Sequence, residues 1–223
     1  MSPAVDLRPV LSFLGALRRH NNRVWFEAHR DAYEIAKGQF EAFVARVVAD
    51  VGTVADLSGV VPKDCIMRIY RDTRFSPDKS PYRTHLAAHI APGGRKASKL
   101  GYYLHIAPRG GSVVAAGLYM PSPAQITTVR LALAADATRL RAILADREFI
   151  RYFRALEGDK VQTAPKGFAR DHPAIDLLRF KQLLAVHHVS DATVLSRSFP
   201  AHVARACRAV TPFVDYLNEV LES

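Results

Sequence analysis

Across residues 6–20, the apolar side chains Val10, Phe13, Leu14 and Leu17 recur at three- and four-residue steps, the period of an amphipathic helix. Arg18, Arg19 and His20 fall in its last turn, where cations suit the negative end of the helix dipole, and Asn21-Asn22 break it. The same spacing resumes from Arg23 through Phe26, Tyr33, Phe40, Phe43, Val44, Val47 and Val51, which predicts one long helix ending near Gly52.

The pattern then changes to alternation. Residues 65–70, 85–91, 100–107 and 113–120 each read as a strand, joined by a polar loop and by two turns, Pro92-Gly93-Gly94 and Pro108 to Gly111. Links as short as these turns favour antiparallel neighbours, because a parallel crossover needs a dozen or more residues. Ser122-Pro123-Ala124-Gln125 places an N-cap Ser, a Pro at the first helical position and a Gln at the third, so a helix begins there. Helical spacing runs on, interrupted, to about residue 156; 158–170 reads as loop, 173–180 as a short helix, 183–189 as a fifth strand and 200–221 as a closing amphipathic helix. The expectation is an α+β fold: a mainly antiparallel sheet of about five strands, with helices at the N-terminus, middle and C-terminus of a single domain over residues 1–223.

Composition narrows the class. With 49% apolar and 23% charged residues the chain is globular in character rather than disordered or collagen-like. The longest apolar stretches, 11–17 and 113–120, fall short of the ~18 to 20 residues a bilayer needs, and no signal-type core follows a basic leader. A soluble, cytoplasmic protein with no membrane partner is expected. Cys65 and Cys207 supply neither a CxxC nor a disulfide framework and read as small buried hydrophobes.

The formal charge of +10 invites a nucleic-acid or acidic-ligand reading. It comes from an Arg-rich, Ala-rich composition with no basic run or RNA-binding motif, so distributed charge alone makes nucleic acid the weaker reading.

The densest polar stretch is the 68–85 loop, where Arg68, Arg71, Arg74, Lys79 and Arg83 stand against Asp72 and Asp78 among hydroxyls and two stiffening prolines. Guanidinium groups fork onto phosphate or carboxylate oxygens, which makes an anion pocket one reading. The other is a brace in which the two acids pair with their basic neighbours and hold the loop in one shape.

This stretch resembles an uncharacterised bacterial and fungal family, domain of unknown function 2461, together with Asn21-Asn22-Arg23, Trp25-Phe26, His29-Arg30 and Tyr33. Gly101-Tyr102-Tyr103, Gly117-Leu118-Tyr119-Met120-Pro121, Pro165-Lys166-Gly167-Phe168 and Asp171-His172-Pro173 extend the resemblance over nearly the whole chain. Arg83 stands where that family commonly has Lys, Val24 where it often has Glu, and Ala116 where Gly is usual. The resemblance implies one full-length domain and brings no activity, substrate or cofactor with it.

Asp171 and His172 precede the short helix that Pro173 is expected to open. A carboxylate beside an imidazole is the minimum for acid–base work, but adjacent residues rarely face each other, and Asp171 reads better as a helix cap. Lys166 adds a donor in the same stretch. His85 and His89 share a strand face and His105 can approach them, yet four residues along a strand span ~13 Å, too far for two ligands of one metal ion. His187 and His188 should point to opposite faces. Trp25, His29 and Tyr33 share a helix face as core or pocket wall. Neither phosphate-loop pattern nor a GxSxG is present.

The reading favoured is a protein that binds a small anionic ligand, with phosphate-bearing molecules among the options and catalysis left open, through Arg68, Arg71, Arg74, Lys79, Arg83 and Lys166. Asp72 and His172 are the candidate proton carriers, and neither metal nor cofactor is called for. The alternatives are a nucleic-acid-binding module and an interaction protein without a small ligand.

Overall fold

The computed structural model describes residues 5–53 and 55–223. Helix α1 (Arg8–Arg19), α2 (Arg23–Ala28) and α3 (Arg30–Val51) form the N-terminal layer. The periodicity that predicts one helix from Arg23 to Gly52 is interrupted at His29, whose imidazole Nδ1 lies 2.8 Å from the Trp25 carbonyl. The ring thus takes the acceptor that a continuing backbone would have used, and α3 restarts with φ −121° at His29. Asn22 caps α2 by accepting the Trp25 N–H at 2.9 Å.

Residues 65–70 are not a ladder strand. Pro62–Cys65 is a single helical turn (α4) with Pro at its start, and the extended chain after it meets the 81–88 segment only at scattered bonds. These include the isolated bridges Ile66 to Ala88 and Tyr70 to Tyr82, and the bonds from Met67 N–H to Ala87 O and Arg83 N–H to Ile69 O, at 2.8 and 2.7 Å. Two arms, 66–71 and 81–88, therefore make an irregular ribbon. Its second arm runs into the sheet as β1 (Leu86–Ile90).

The sheet continues with β2 (Tyr102–Ile106) and β3 (Ser112–Leu118), and its order is β1-β2-β3-β5-β4, antiparallel throughout. The strand over 183–189 is β5, and the fifth strand is instead β4 (Leu156–Glu157), two residues too short to announce themselves by alternation. Between β3 and β4 lie α5 (Pro123–Ala135), α6 (Thr138–Leu144) and α7 (Arg147–Phe153). The α5 start has the full capping box between Ser122 and Gln125. Asp136 and Asp146 divide this stretch, because each carboxylate accepts the N–H groups that open the next helix. A one-turn α8 (Ile175–Leu178), a one-turn α9 (Asp191–Val194) and the long α10 (Phe199–Glu222) complete the chain.

Alternation gives the sheet two unlike faces. Leu86, Ala88, Ile90, Tyr102, Leu104, Ile106, Val114, Ala116 and Leu118 are all buried, facing the layer of α3 and α10. Phe40, Phe43, Phe199 and Phe213 fill that interface with no exposure, each contributing roughly 1.5–3 kcal/mol by its burial. The side chains between them on β2, β3 and β5 are half-buried and form an open face. Among the described residues no helix is long and apolar enough to cross a membrane.

Gly117 shows how tightly the last ladder is set. Its φ is +122°, and a Cβ there would lie 2.2 Å from the Leu183 carbonyl oxygen of the neighbouring strand. Gly117→Ala is expected to cost about 2 kcal/mol or more in urea unfolding, from backbone strain plus a displaced β5. An unchanged unfolding midpoint would contradict this pairing of β3 with β5.

Candidate functional site

The basic heads of the 68–85 loop divide into two groups. Arg74 forks onto Asp72 at 3.0 and 2.7 Å, Arg71 pairs with Asp78 and reaches Ser76 Oγ at 3.3 Å, and Lys79 donates to the Thr73 carbonyl at 3.0 Å. The Asp78 carboxylate also accepts the Ser80 N–H at 2.9 Å; with Arg71 this holds its carboxyl well below the usual carboxylate range. Asp72 is likewise held low, chiefly by Arg74. These contacts make the loop tip a closed set of short-range pairs, from which Phe75 projects at 93% exposure.

Arg68 and Arg83 stand apart: neither has a carboxylate within ion-pair distance among the described residues. Arg68 lines a cleft against α3, whereas Arg83 is half-buried with its Nη1 3.8 Å from Met67 Sδ. Lys166 is exposed in the 158–170 loop.

The candidate proton carriers are also occupied. Asp72 belongs to the tip pairs. His172 Nδ1 accepts the Ala174 N–H at 3.0 Å ahead of α8, which begins at Ile175 rather than at Pro173. The expected Asp171 cap is therefore corrected. Ala174 is the N-cap residue, and the imidazole of His172 serves the backbone that Asp171 was expected to serve.

The shared face expected for His85, His89 and His105 is present, and it also carries Tyr103. Strand register sets His105 opposite Ala87 and His89 opposite Tyr103, so these side chains share that face with His85. The His85 and His105 rings stack at 4.8 Å between centroids. His105 Nε2 lies 2.5 Å from the Gly111 carbonyl, which can only accept, so Nε2 carries the proton. Its Nδ1 is then free to accept the Tyr103 hydroxyl at 3.3 Å. The Gly111 carbonyl is itself fixed by a tight turn. Buried Ser112 donates to Ala107 O at 3.0 Å, and the N–H groups of Arg109 and Gly110 donate to the Asp191 carboxylate at 2.9 and 2.8 Å.

Burial pushes the His85 imidazole down to about 4, with the charges of His105 and Arg83 adding to the effect. His89 and His105 are lowered by burial as well, and Tyr103 is raised by it. Near neutrality His85 and His105 are therefore neutral, and the charge of Arg83 reaches both His85 and Tyr103. Tyr119 acts on Tyr103 in the opposite direction to Arg83, raising it. His187 and His188 do point to opposite faces. His187 Nε2 meets His202 Nε2 of α10 at 2.8 Å, and His188 lies 3.5 Å from Glu157. Among the described residues no group of three His, Cys, Asp or Glu is arranged to hold a metal ion.

Arg83, His85, Tyr103, Gly117 and Tyr119 come from three separate segments of the resemblance, and the fold brings those segments to one sheet face. Residues 9–216 match the family model described as a conserved hypothetical protein, domain of unknown function 2461. The chain belongs to this family. No curated protein and no solved structure matches it. Tyr103 and His105 escaped attention as a pair because nothing in the sequence fixes a tautomer; their two-residue spacing on one strand was the available signal.

A pH dependence follows from the buried imidazoles. The ordinary His85 pKa of 6.5 applies to the unfolded chain, and about 4 to the folded one. As pH falls from 6.5 the unfolded state takes up a proton that the folded state refuses, so stability is lost down to about pH 4. Melting curves across this window should fall less steeply for His85→Gln than for the wild type. Identical slopes would place His85 in water rather than on the half-buried face.

Proposed function

We infer that the protein binds a small anionic ligand, phosphate- or carboxylate-bearing, on the open face of the sheet, with Arg83 as its charged anchor. One observation supports this reading: Arg83 is a half-buried cation of the motif with no acid within ion-pair distance among the described residues, its charge felt by Tyr103 and His85. A guanidinium left unpaired in partly desolvated surroundings attracts an anion far more strongly than one exposed to water. Neutral His85 offers a ring N–H to the anion without adding repulsion, whereas the Tyr103 hydroxyl would have to turn from His105 Nδ1 to donate to it. The Tyr103 phenol, backed by His105 Nδ1, is the group best placed to exchange a proton with a bound ligand.

The three tip residues play a different part in this reading. Arg71, Arg74 and Lys79 keep the ribbon in shape and do not hold the ligand. The two ion pairs and the Lys79 bond to the Thr73 carbonyl lie largely in water and stabilise weakly, so losing one should leave the fold largely intact.

The test is thermal melting in phosphate and in chloride at equal ionic strength. A ligand that binds only the folded state stabilises it by about 2.7 kcal/mol at a hundred times its Kd. Phosphate should raise the wild-type Tm above the chloride value; Arg83→Ala should abolish the difference and Arg74→Ala should retain it. The reverse pattern would return the site to the loop tip. Equal melting of the wild type in both salts would remove the anion reading. A polyanion partner would show instead as oligonucleotide binding that weakens steeply with salt.

A further inference from the structure

A cavity of about 240 Å³ lies between α3 and the first arm of the ribbon; its lining includes neither Arg83, Tyr103 nor His105, and of its residues Met67 turns its thioether to Arg83. Its rim is strongly one-signed: Lys37, Lys63, Arg68 and Arg95 line it against a single acid, Glu41. Lys37 is held only loosely, 3.4 Å from Glu34 and 3.9 Å from Glu41, and these are exposed or half-exposed pairs of little strength. Arg95 lends one guanidinium N–H to the Asp64 carbonyl at 3.1 Å, which positions the head without neutralising it. Arg68 and Lys63 have no carboxylate partner among the described residues.

The floor is of the opposite character. Half-buried Ile66 and Met67 lie over Phe40 and Leu86 of the core, and the buried Tyr33 borders them with a phenol that burial pushes up to about 12. Tyr33 therefore stays a neutral donor at any physiological pH. A cationic rim over an apolar floor is not what a free inorganic anion needs, since the floor gives such an ion nothing. It matches a molecule with one anionic end and one hydrophobic end.

We propose that this cleft is a second binding site, for an amphiphilic anion: a carboxylate or phosphate monoester head held by Arg68 and Lys63, with a short apolar tail laid on Ile66 above Phe40 and Leu86. The two arms of one ribbon then serve two sites, Arg68 on the first arm and Arg83 on the second.

Calorimetric titration of the full chain with octanoate, octyl phosphate and octylammonium tests this. Octanoate or octyl phosphate should bind saturably with a Kd below about 1 mM, octylammonium should not, and shortening the tail should weaken binding roughly fourfold per methylene removed. Arg68→Glu combined with Lys63→Glu should reduce affinity more than tenfold at an unchanged Tm, whereas Arg83→Ala should leave it as it is. Binding of the ammonium as tightly as the anions, affinity independent of tail length, or full affinity in the double variant would each overturn the proposal. So would no saturable binding of either anion. Loss of phosphate stabilisation in Arg83→Ala bears on the sheet-face site alone, so the two sites can fail separately.

Discussion

The side-chain amide of Asn21 donates to the Tyr82 carbonyl at 2.9 Å and accepts the Tyr82 N–H at 3.1 Å, across 61 residues of sequence. Phe26 stacks on the Tyr82 ring at 4.0 Å between centroids, so the same residue is gripped by its backbone and by its side chain. Tyr82 lies on the second arm of the ribbon, one residue before Arg83 and four before the start of β1. The helical layer thereby fixes where an irregular, ladder-poor segment enters the sheet. Without that clamp the scattered bonds between residues 66–71 and 81–88 would leave the orientation of Arg83 to chance, since a few isolated bridges specify register weakly.

Charge is divided along the ribbon with the same economy. At the tip, Asp72 and Asp78 are matched locally to Arg74 and Arg71, and the pairing closes the loop on itself. Three residues from each end of that closed set, the surplus cations Arg68 and Arg83 emerge beside surfaces with little acidic charge of their own: the cleft against α3 and the open sheet face. The net charge of +10 therefore matters less as a global property than as a local remainder at these two positions. The tip pairs match the brace reading of the sequence, and the proposed anion site draws on different residues of the same loop.

Elements with long periodicity were legible from the sequence. α1, α10, β5 and the capped start of α5 were each marked by spacing or by cap chemistry that tertiary contacts have no reason to override. The break at His29 was not legible, because it depends on an imidazole reaching a carbonyl one turn back in a stretch whose apolar spacing never falters. The alternation of residues 65–70 was real, but Pro62 draws its start into a helical turn and its partner segment meets it only in places. β4 is held to β5 through two register pairs and has no pattern of its own. For the proposed site, the sequence pointed to the 68–85 loop and its basic residues. Which guanidinium would be left unpaired is decided by short-range geometry that residue counting does not contain.

The central claim is that the clamped ribbon delivers a cation to the sheet face while its tip stays self-contained. Backbone-assigned amide spectra of the isotopically labelled protein, titrated with phosphate, test it most directly. The account predicts shifts that saturate together at Arg83, His85, Tyr103 and His105, with the 72–80 amides unmoved. Saturating shifts confined to the 72–80 tip, with the sheet face silent, would contradict it.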